Sequence, residues 1–302
     1  MGIIERFFGK REPDVAATPA SPALVANGSF KSAVSLQLLF PIKLVLEPAS
    51  VTQSLREYHS SMAKASCEID LQAAGNGTPI GLLGWGEHVV RLVGFDVPMP
   101  TEVVEKCVQG AHYGADLKAK ARAHKAHLIL YYAGKEPNPL EQYVALASAA
   151  GVLAQHGAIV VLNETGHTSF PAEALAWGEG DRLELLRTLP IPILYSGFVK
   201  FDVEGVQGVW MRTFGNHVLG LPDFAHLAKG HDEGQATFDL ICSLLSYLLS
   251  SGATFAPGHT MEVGPDAFLR IRTPRPDEYF LESDGEMLVL EKISNPEARR
   301  RN

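Results

Sequence analysis

The sequence predicts an α+β protein, with helices packed on mixed or antiparallel sheets. Alternating or apolar runs of strand length recur along the chain, as at 34–40 and 127–132. Helix-length apolar faces lie between such runs, as at 138–157 and 235–251. The first half has the order β-α-β-β-α-β, which is the split βαβ (ferredoxin-like) arrangement. A similar order in the second half leaves a duplicated α+β unit as one option.

The composition is that of a globular, acidic protein. The 302 residues are 46% hydrophobic and 20% charged, which suits one large domain or two ordinary ones. A formal net charge of -8 argues against nucleic-acid binding. We expect no transmembrane segment, because no apolar run approaches 18 residues. Three cysteines without CxxC spacing favour a reducing cytoplasm: Cys67, Cys107 and Cys242.

We divide the chain into four segments. Residues 1–30 are expected to be a disordered start with a Pro/Ala-rich linker, followed by α+β units at 31–133 and 134–293 and a polar tail at 294–302. The first residues are amphipathic, which leaves docking to a membrane surface or a partner as an alternative to a frayed turn. The apolar side chains of that segment are Ile3, Ile4, Phe7 and Phe8.

Individual helices and strands follow from caps and periodicity. Ser50 with Gln53 resembles a capping box and predicts a helix that ends near Ala63. Asn138 before Pro139 is a strong helix start. The remaining elements are a hairpin around 80–97, helices at 101–110, 172–177 and 181–189, a hairpin of 191–201 with 206–213, and closing strands at 268–272 and 287–293. Residues 223–232 carry no strand pattern and are expected to form a loop.

The window in which the residue types constrain the local structure most is Gly208–Asp223, GVWMRTFGNHVLGLPD. An alternating strand passes into a compact turn between two glycines. GNHVLG has the outer glycines of a phosphate loop but lacks the following Lys and Ser/Thr, so we interpret the window as a structural corner. Five positions define this structural motif: Trp210, Thr213, Gly215, Gly220 and Asp223.

A catalytic alternative centres on the loop NETGHTSF, 163–170, which follows a buried strand. Glu164 and His167 could act as an acid–base pair, joined by Asp223 and His226 if the fold brings them together. Thr165 or Ser169 would need an adjacent base, and the chain has no GxSxG elbow. The structural interpretation is a surface loop whose polar side chains form hydrogen bonds with their own backbone.

The histidines raise the question of a metal. Asp223, His226, His231 and Asp232 are the best group of hard ligands along the chain. HExxH and finger spacings are both absent, and acidic residues before a helix are favourable there without any metal. We therefore predict no metal and no cofactor.

The Gly208–Asp223 window resembles the C-terminal signature of a mainly bacterial family known as domain of unknown function 4261. The matching positions are Trp210, Thr213, Gly215, Gly220 and Asp223. The family more often has Glu at the last place, so Asp223 departs from the pattern. An upstream block from His124 through 157–161 is also similar, so the resemblance is expected over 120–260 and extends at most to everything after 32. It implies a fold, because no activity is attached to the family.

These patterns favour a non-catalytic cytoplasmic binding or interaction protein. The expected partner is a protein, and small bacterial families of this kind lead us to expect a regulatory or defence (toxin-immunity) setting. The alternative is a small hydrolase-like enzyme that uses Glu164, His167, Asp223 and His226. Convergence of these side chains in one pocket separates the two hypotheses.

Overall fold

The computed structural model describes residues 24–27, 34–70, 79–176, 180–264 and 267–293. Within this part the chain forms two sheets with eight α-helices, which confirms the α+β class. Residues 1–23, with the apolar Ile3, Ile4, Phe7 and Phe8, and the tail from 294 onward lie outside the described residues. None of the described helices has the length and apolarity needed to cross a membrane.

The first sheet has seven strands, all paired antiparallel, in the order β2-β3-β4-β5-β1-β6-β7. Since β5 and β6 flank β1, the segment β5-α4-β6 is a split βαβ unit. The elements of this half are β1 Ser35–Phe40, α1 Pro48–Tyr58, β2 Ser66–Asp70, β3 Ile80–Trp85, β4 His88–Phe95, α2 Thr101–Val108, α3 Ala115–Arg122, β5 Ala126–Tyr132, α4 Pro139–Ala154, β6 Val160–Asn163 and β7 Thr168–Pro171.

The second sheet has six strands in the order β11-β12-β13-β10-β9-β8. Two three-stranded meanders meet at the parallel pair β10 and β13, so its strand order differs from that of the first sheet and shows no duplication. Its elements and those leading to it are α5 Ala172–Ala176, α6 Arg182–Thr188, α7 Ile191–Leu194, β8 Gly197–Phe201, β9 Val209–Phe214, β10 Asp223–Ala228, α8 Gly234–Ser251, β11 Thr260–Gly264, β12 Ala267–Arg272 and β13 Met287–Ile293.

Helix α4 joins the two sheets through one hydrophobic core. Twelve consecutive residues from Gln142 to Leu153 are buried, so the helix is apolar nearly all round rather than amphipathic. It packs on α1, α5 and α6 and on the first sheet, and it touches the 216–219 turn of the second sheet. The main core cluster accordingly runs from Leu36 in β1 through Tyr143 to Phe224 and Leu288.

The structure corrects three predicted elements in the second half and one cap in the first. Glu47, not Ser50, caps α1, because its carboxylate accepts from the N–H groups of Ala49 and Ser50. Residues 191–194, which we predicted as the start of a hairpin strand, form a short helix. Residues 223–228 form the central strand β10, and 260–264 form an edge strand that the sequence did not predict.

The segment 24–27, which we placed in the disordered start, packs on the first sheet. The N–H of Leu24 donates to Glu68 Oε1 at 2.9 Å, and the N–H of Asn27 donates to the carbonyl of Ala133 at 2.8 Å. The side chain of Leu24 fills the space beside Gly84 that a Cβ there would need. The folded body therefore includes these four residues.

Candidate functional site

A buried polar corner forms where β9 turns back into β10. Asp223 is fully buried and accepts from the Thr213 hydroxyl at 2.9 Å, from the N–H of Asn216 at 3.2 Å and from the Ser283 hydroxyl at 2.6 Å. Thr213 Oγ1 in turn accepts from the N–H of Phe224 at 2.9 Å. Both carboxylate oxygens are thus occupied, which is how a buried charge is kept without a large desolvation cost.

Two glycines set the geometry of this corner. Gly215 (φ 88°) and Gly220 (φ 72°) both lie in the left-handed region, on either side of the single 3₁₀ turn 216–219. L side chains adopt this region at a cost, and a Cβ on Gly215 would also lie 3.1 Å from the carbonyl oxygen of Thr165. Trp210 packs at 5.7 Å, edge to face, on Phe280 below the corner. The positions of the predicted motif therefore have structural contacts.

Arg212 extends the corner toward the first sheet. It is buried, donates to the carbonyls of Phe280 (3.3 Å) and Glu282 (3.0 Å), and lies 3.8 Å over the ring of Phe214. Burial lowers the pKa of its guanidinium to about 10, and the nearby Asp223 carboxylate opposes this shift. The ring of His167 lies 4.1 Å from that of Phe214, so Phe214 separates a buried cation from an imidazole.

The four residues of the catalytic alternative occupy different environments. Glu164 is exposed, and His226 is buried with Nδ1 2.8 Å from the carbonyl of Leu290. Asp223 and His226 are three residues apart on β10, so their side chains leave opposite faces of the sheet. Among the described residues, no side-chain hydrogen bond or ion pair joins any two of Glu164, His167, Asp223 and His226.

The predicted hard-ligand group is also spread out. His231 lies 3.3 Å from the exposed carboxylate of Asp202, away from the buried Asp223. No group of three or more His, Cys, Asp or Glu side chains in the described segments is placed to hold a metal ion. The cysteines are free thiols; burial raises the pKa of Cys67 and of Cys107 to about 12 and that of Cys242 to about 11.

A cleft of about 400 Å³ lies between the free edges of the two sheets. β7 ends the first sheet and β8 ends the second, and the cleft lies between them under the start of α8. Most of its wall is apolar: Phe170, Pro171, Pro192, Ile193, Phe198 and Phe238. The rings of Phe198 and Phe238 are 5.5 Å apart, edge to face, which fixes the wall beneath α8.

Few polar side chains face this cleft. The hydroxyl of Ser169 donates to the carbonyl of Cys107 at 2.8 Å and accepts from Tyr113 at 2.9 Å, so it is held in place by the α2–α3 segment. His112 and Lys200 are exposed at the rim. These residues come from segments far apart in sequence and meet only through the pairing of β7 and β8 with their own sheets.

His167 contributes the strained element of the cleft. Its φ of 51° is the one positive value at a non-glycine position in the described segments, and such a conformation costs about 1 kcal/mol or more. Burial, helped by the positive charges of Lys106 and Arg212, lowers the pKa of its imidazole to about 4. At neutral pH the cleft therefore presents a neutral imidazole.

Sequence reasoning identified part of this cleft. The loop 163–170 was selected for its polar residues, and His167 and Ser169 do line the cleft. Lys200, Phe198 and Phe238 were assigned only to a strand and to the apolar face of a helix. No sequence signal marks them, because each fits an ordinary structural role and only the fold brings them together.

The fold and the site define a two-sheet α+β protein with a cleft at the junction of its sheets. Residues 212–291 match the model of the family described as Domain of unknown function (DUF4261), which confirms the resemblance for that segment. The match begins within the Gly208–Asp223 window and covers the end of β9, all of β10 to β12 and all but the last two residues of β13. It does not include the upstream block expected from 120. No curated protein matches the chain, and no solved structure matches it.

Proposed function

We propose that this chain is a non-catalytic binding protein whose ligand site is the cleft between β7 and β8. One observation carries the proposal. The cleft has about 400 Å³ of space and walls from both sheets, and sites for small organic ligands are apolar clefts of roughly 300–1,000 Å³ with a few placed polar groups. The neutral imidazole of His167 and the rim residues Lys200 and His112 supply those groups.

The chemistry of the described side chains supports binding without catalysis. Thr168 and Ser169 carry the cleft hydroxyls that follow His167 directly in sequence. Their hydrogen bonds go to the carbonyl of Ile193, to the carbonyl of Cys107 and to Tyr113 rather than to a base. An activated nucleophile needs a base within hydrogen-bond reach. Thiols with raised pKa values, as at Cys107, stay protonated and react poorly at neutral pH.

The proposed cellular setting rests on the cysteines and on the family resemblance. Free cysteines suit the reducing cytoplasm that we propose for the protein. The family resemblance is the basis for proposing a bacterial source. A protein partner, and with it a regulatory or toxin-immunity role, is the prediction of the sequence and would use a surface other than this small cleft.

Binding of N-phenyl-1-naphthylamine, a neutral aromatic probe whose fluorescence rises in apolar surroundings, tests the proposal. We expect saturable binding to the full-length protein and a loss of about tenfold in affinity in Phe238→Ala, because a buried aromatic wall is removed. Tyr247→Ala is the matched control, since Tyr247 is a half-exposed aromatic residue on the same helix outside the cleft. Absence of binding, or equal loss in both variants, would refute the cleft as the site.

A further inference from the structure

The charge distribution in the cleft is one-sided. Lys200 is the one Lys, Arg, Asp or Glu among the described residues that line it. Two histidines, His112 and His167, complete its titratable groups apart from the hydroxyl of Tyr113. In a protein with a net charge of -8, a cleft that has a lysine at its rim and no carboxylate in its wall is a local reversal of charge.

Lys200 has no ion-pair partner in the described part of the chain. Lys200 lies on the same face of β8 as Phe198. Its Nζ lies beside Gly234 at the start of α8, 2.9 Å from the position that a Cβ on Gly234 would occupy. Asp202, two residues further along the chain, pairs with His231 at 3.3 Å. Glu233, which precedes Gly234, accepts from the N–H of Lys229 at 3.1 Å and pairs with Lys292 at 3.5 Å. The ammonium group is therefore available to an incoming anion.

The free edge of β7 adds a backbone donor on the opposite wall. Bonded and non-bonded pairs alternate along an antiparallel ladder, and the N–H of Ala172 donates to the carbonyl of Ile159. By this alternation Ser169 and Leu162 form a pair without hydrogen bonds between them. The N–H of Ser169 therefore points away from β6, toward the open edge of the sheet. Pro171, which has no N–H to donate, occupies the next outward position, as expected at an edge.

We propose that the cleft binds a small anion with an apolar body, such as an aromatic or acyl carboxylate, with its acidic group at Lys200 and its body between Phe198, Phe238 and Phe170. This inference rests on the proposed function and names the class of its ligand. The apolar wall supplies most of the affinity, and the lysine selects for the acid over a neutral molecule of the same shape.

A pair of probes that differ only in charge tests the assignment. 8-Anilinonaphthalene-1-sulfonate is N-phenyl-1-naphthylamine with a sulfonate, which here stands in for the carboxylate. We expect the two probes to compete for one site on the full-length protein. Lys200→Gln should weaken the anionic probe by about twofold to fivefold, the range for a solvent-accessible ion pair, and leave the neutral probe unchanged.

Two controls separate the possible failures. Lys229→Gln removes the same charge from an exposed position just after β10 and outside the cleft, and it should change neither affinity. Lys200→Arg should keep the preference for the anion. If the neutral probe binds but Lys200→Gln weakens both probes equally or neither, the anion assignment is overturned while the proposed function stands. If neither probe binds, the proposed function fails and the assignment fails with it.

Discussion

The carboxylate of Asp223 in the corner and the ammonium group of Lys200 at the cleft are paired in opposite ways. In the corner, a buried carboxylate receives three hydrogen bonds from Thr213, Asn216 and Ser283. In the cleft, an exposed ammonium group has no partner in the described residues, and the one non-glycine residue with positive φ there, His167, lies against the ring of Phe214. Satisfied polar networks hold a fold together, whereas strained or unpaired groups at a concave surface are available to a ligand.

This difference indicates which region explains the family match. The match covers 212–291, which includes the corner and β9 to β13 apart from the first residues of β9. The cleft takes only the start of α8 from that segment, and its remaining walls come from 110–113, 167–171 and 192–200. We infer that the shared signature encodes a stable sheet, and that binding specificity depends on the part of the chain outside the match.

The largest effect is expected for Asp223→Ala. It leaves the buried hydroxyl of Thr213, the partly buried hydroxyl of Ser283 and the N–H of Asn216 without their acceptor, so we expect a loss of about 3 kcal/mol in the free energy of unfolding. Urea denaturation at pH 7 measures it. Asp202→Ala is the control, because that carboxylate is exposed and its contact with His231 is a surface one. Equal midpoints for Asp223→Ala and the wild type would show that the corner does not stabilise the fold.

Gly215→Val should rank second. Its φ of 88° excludes a β-branched side chain, and the new Cβ would press on the Thr165 carbonyl, so we expect a loss of about 2 kcal/mol. Gly110→Val is the matched change, since Gly110 has no positive φ and open space around it. A melting temperature for Gly215→Val that stays with the Gly110→Val value would mean that the backbone does not require glycine at the corner.

His167→Asn tests the cleft through pH. Burial holds the pKa of His167 at about 4 against 6.5 for a free imidazole. As the pH falls through this window the unfolded chain takes up the proton first, so stability is lost between pH 6.5 and 4. Asn tolerates the left-handed backbone and does not titrate.

The variant should therefore lose less stability than the wild type from pH 7.5 to pH 4.5, by about 1 kcal/mol after allowance for solvent screening of the half-exposed ring. The stability at pH 7.5 serves as the internal reference, because loss of the ring contact with Phe214 changes the stability by the same amount at every pH. Parallel pH profiles for the two proteins would contradict the burial of a neutral imidazole in the cleft.

The smallest effect is expected for Lys200→Gln. An exposed lysine without an ion-pair partner in the described residues contributes little to folding, so the urea midpoint should stay at the wild-type value. Differential scanning calorimetry gives a second readout of the same expectation. A clear drop in stability would show that Lys200 stabilises the fold, and the contrast between the cleft and the corner would then disappear.

Local patterns in the sequence were sufficient for the elements that follow a single rule. The N-cap at Asn138 and the apolar face of α8 set their helices, and the glycines at 215 and 220 adopt positive φ as their turn requires. The predicted N-cap of α1 is wrong, because the carboxylate of Glu47, rather than the side chain of Ser50, accepts hydrogen bonds from the first N–H groups of the helix. Such errors arise where two nearby side chains can perform one task.

Strand β10 shows what local patterns cannot decide. DFAHLA carries an acid and a histidine and resembles a loop, yet it pairs with β9 and β13 at the centre of the second sheet. Asp223 and His226 are accepted there because Thr213, Ser283 and the carbonyl of Leu290 satisfy them from distant positions in the chain. Tertiary partners thus reversed a reasonable prediction from polarity.

The sequence by itself determined the α+β class, the glycine-bounded corner and the absence of an established catalytic motif, since each depends on residues close together in the chain. The tertiary structure decided that Asp223 is a buried acceptor, that the four residues of the catalytic alternative face different surroundings, and that Lys200, His167 and Phe238 share one cleft. The reason is physical: hydrogen-bond satisfaction and cavity shape depend on which distant segments meet, and one chain's local periodicity does not encode that meeting.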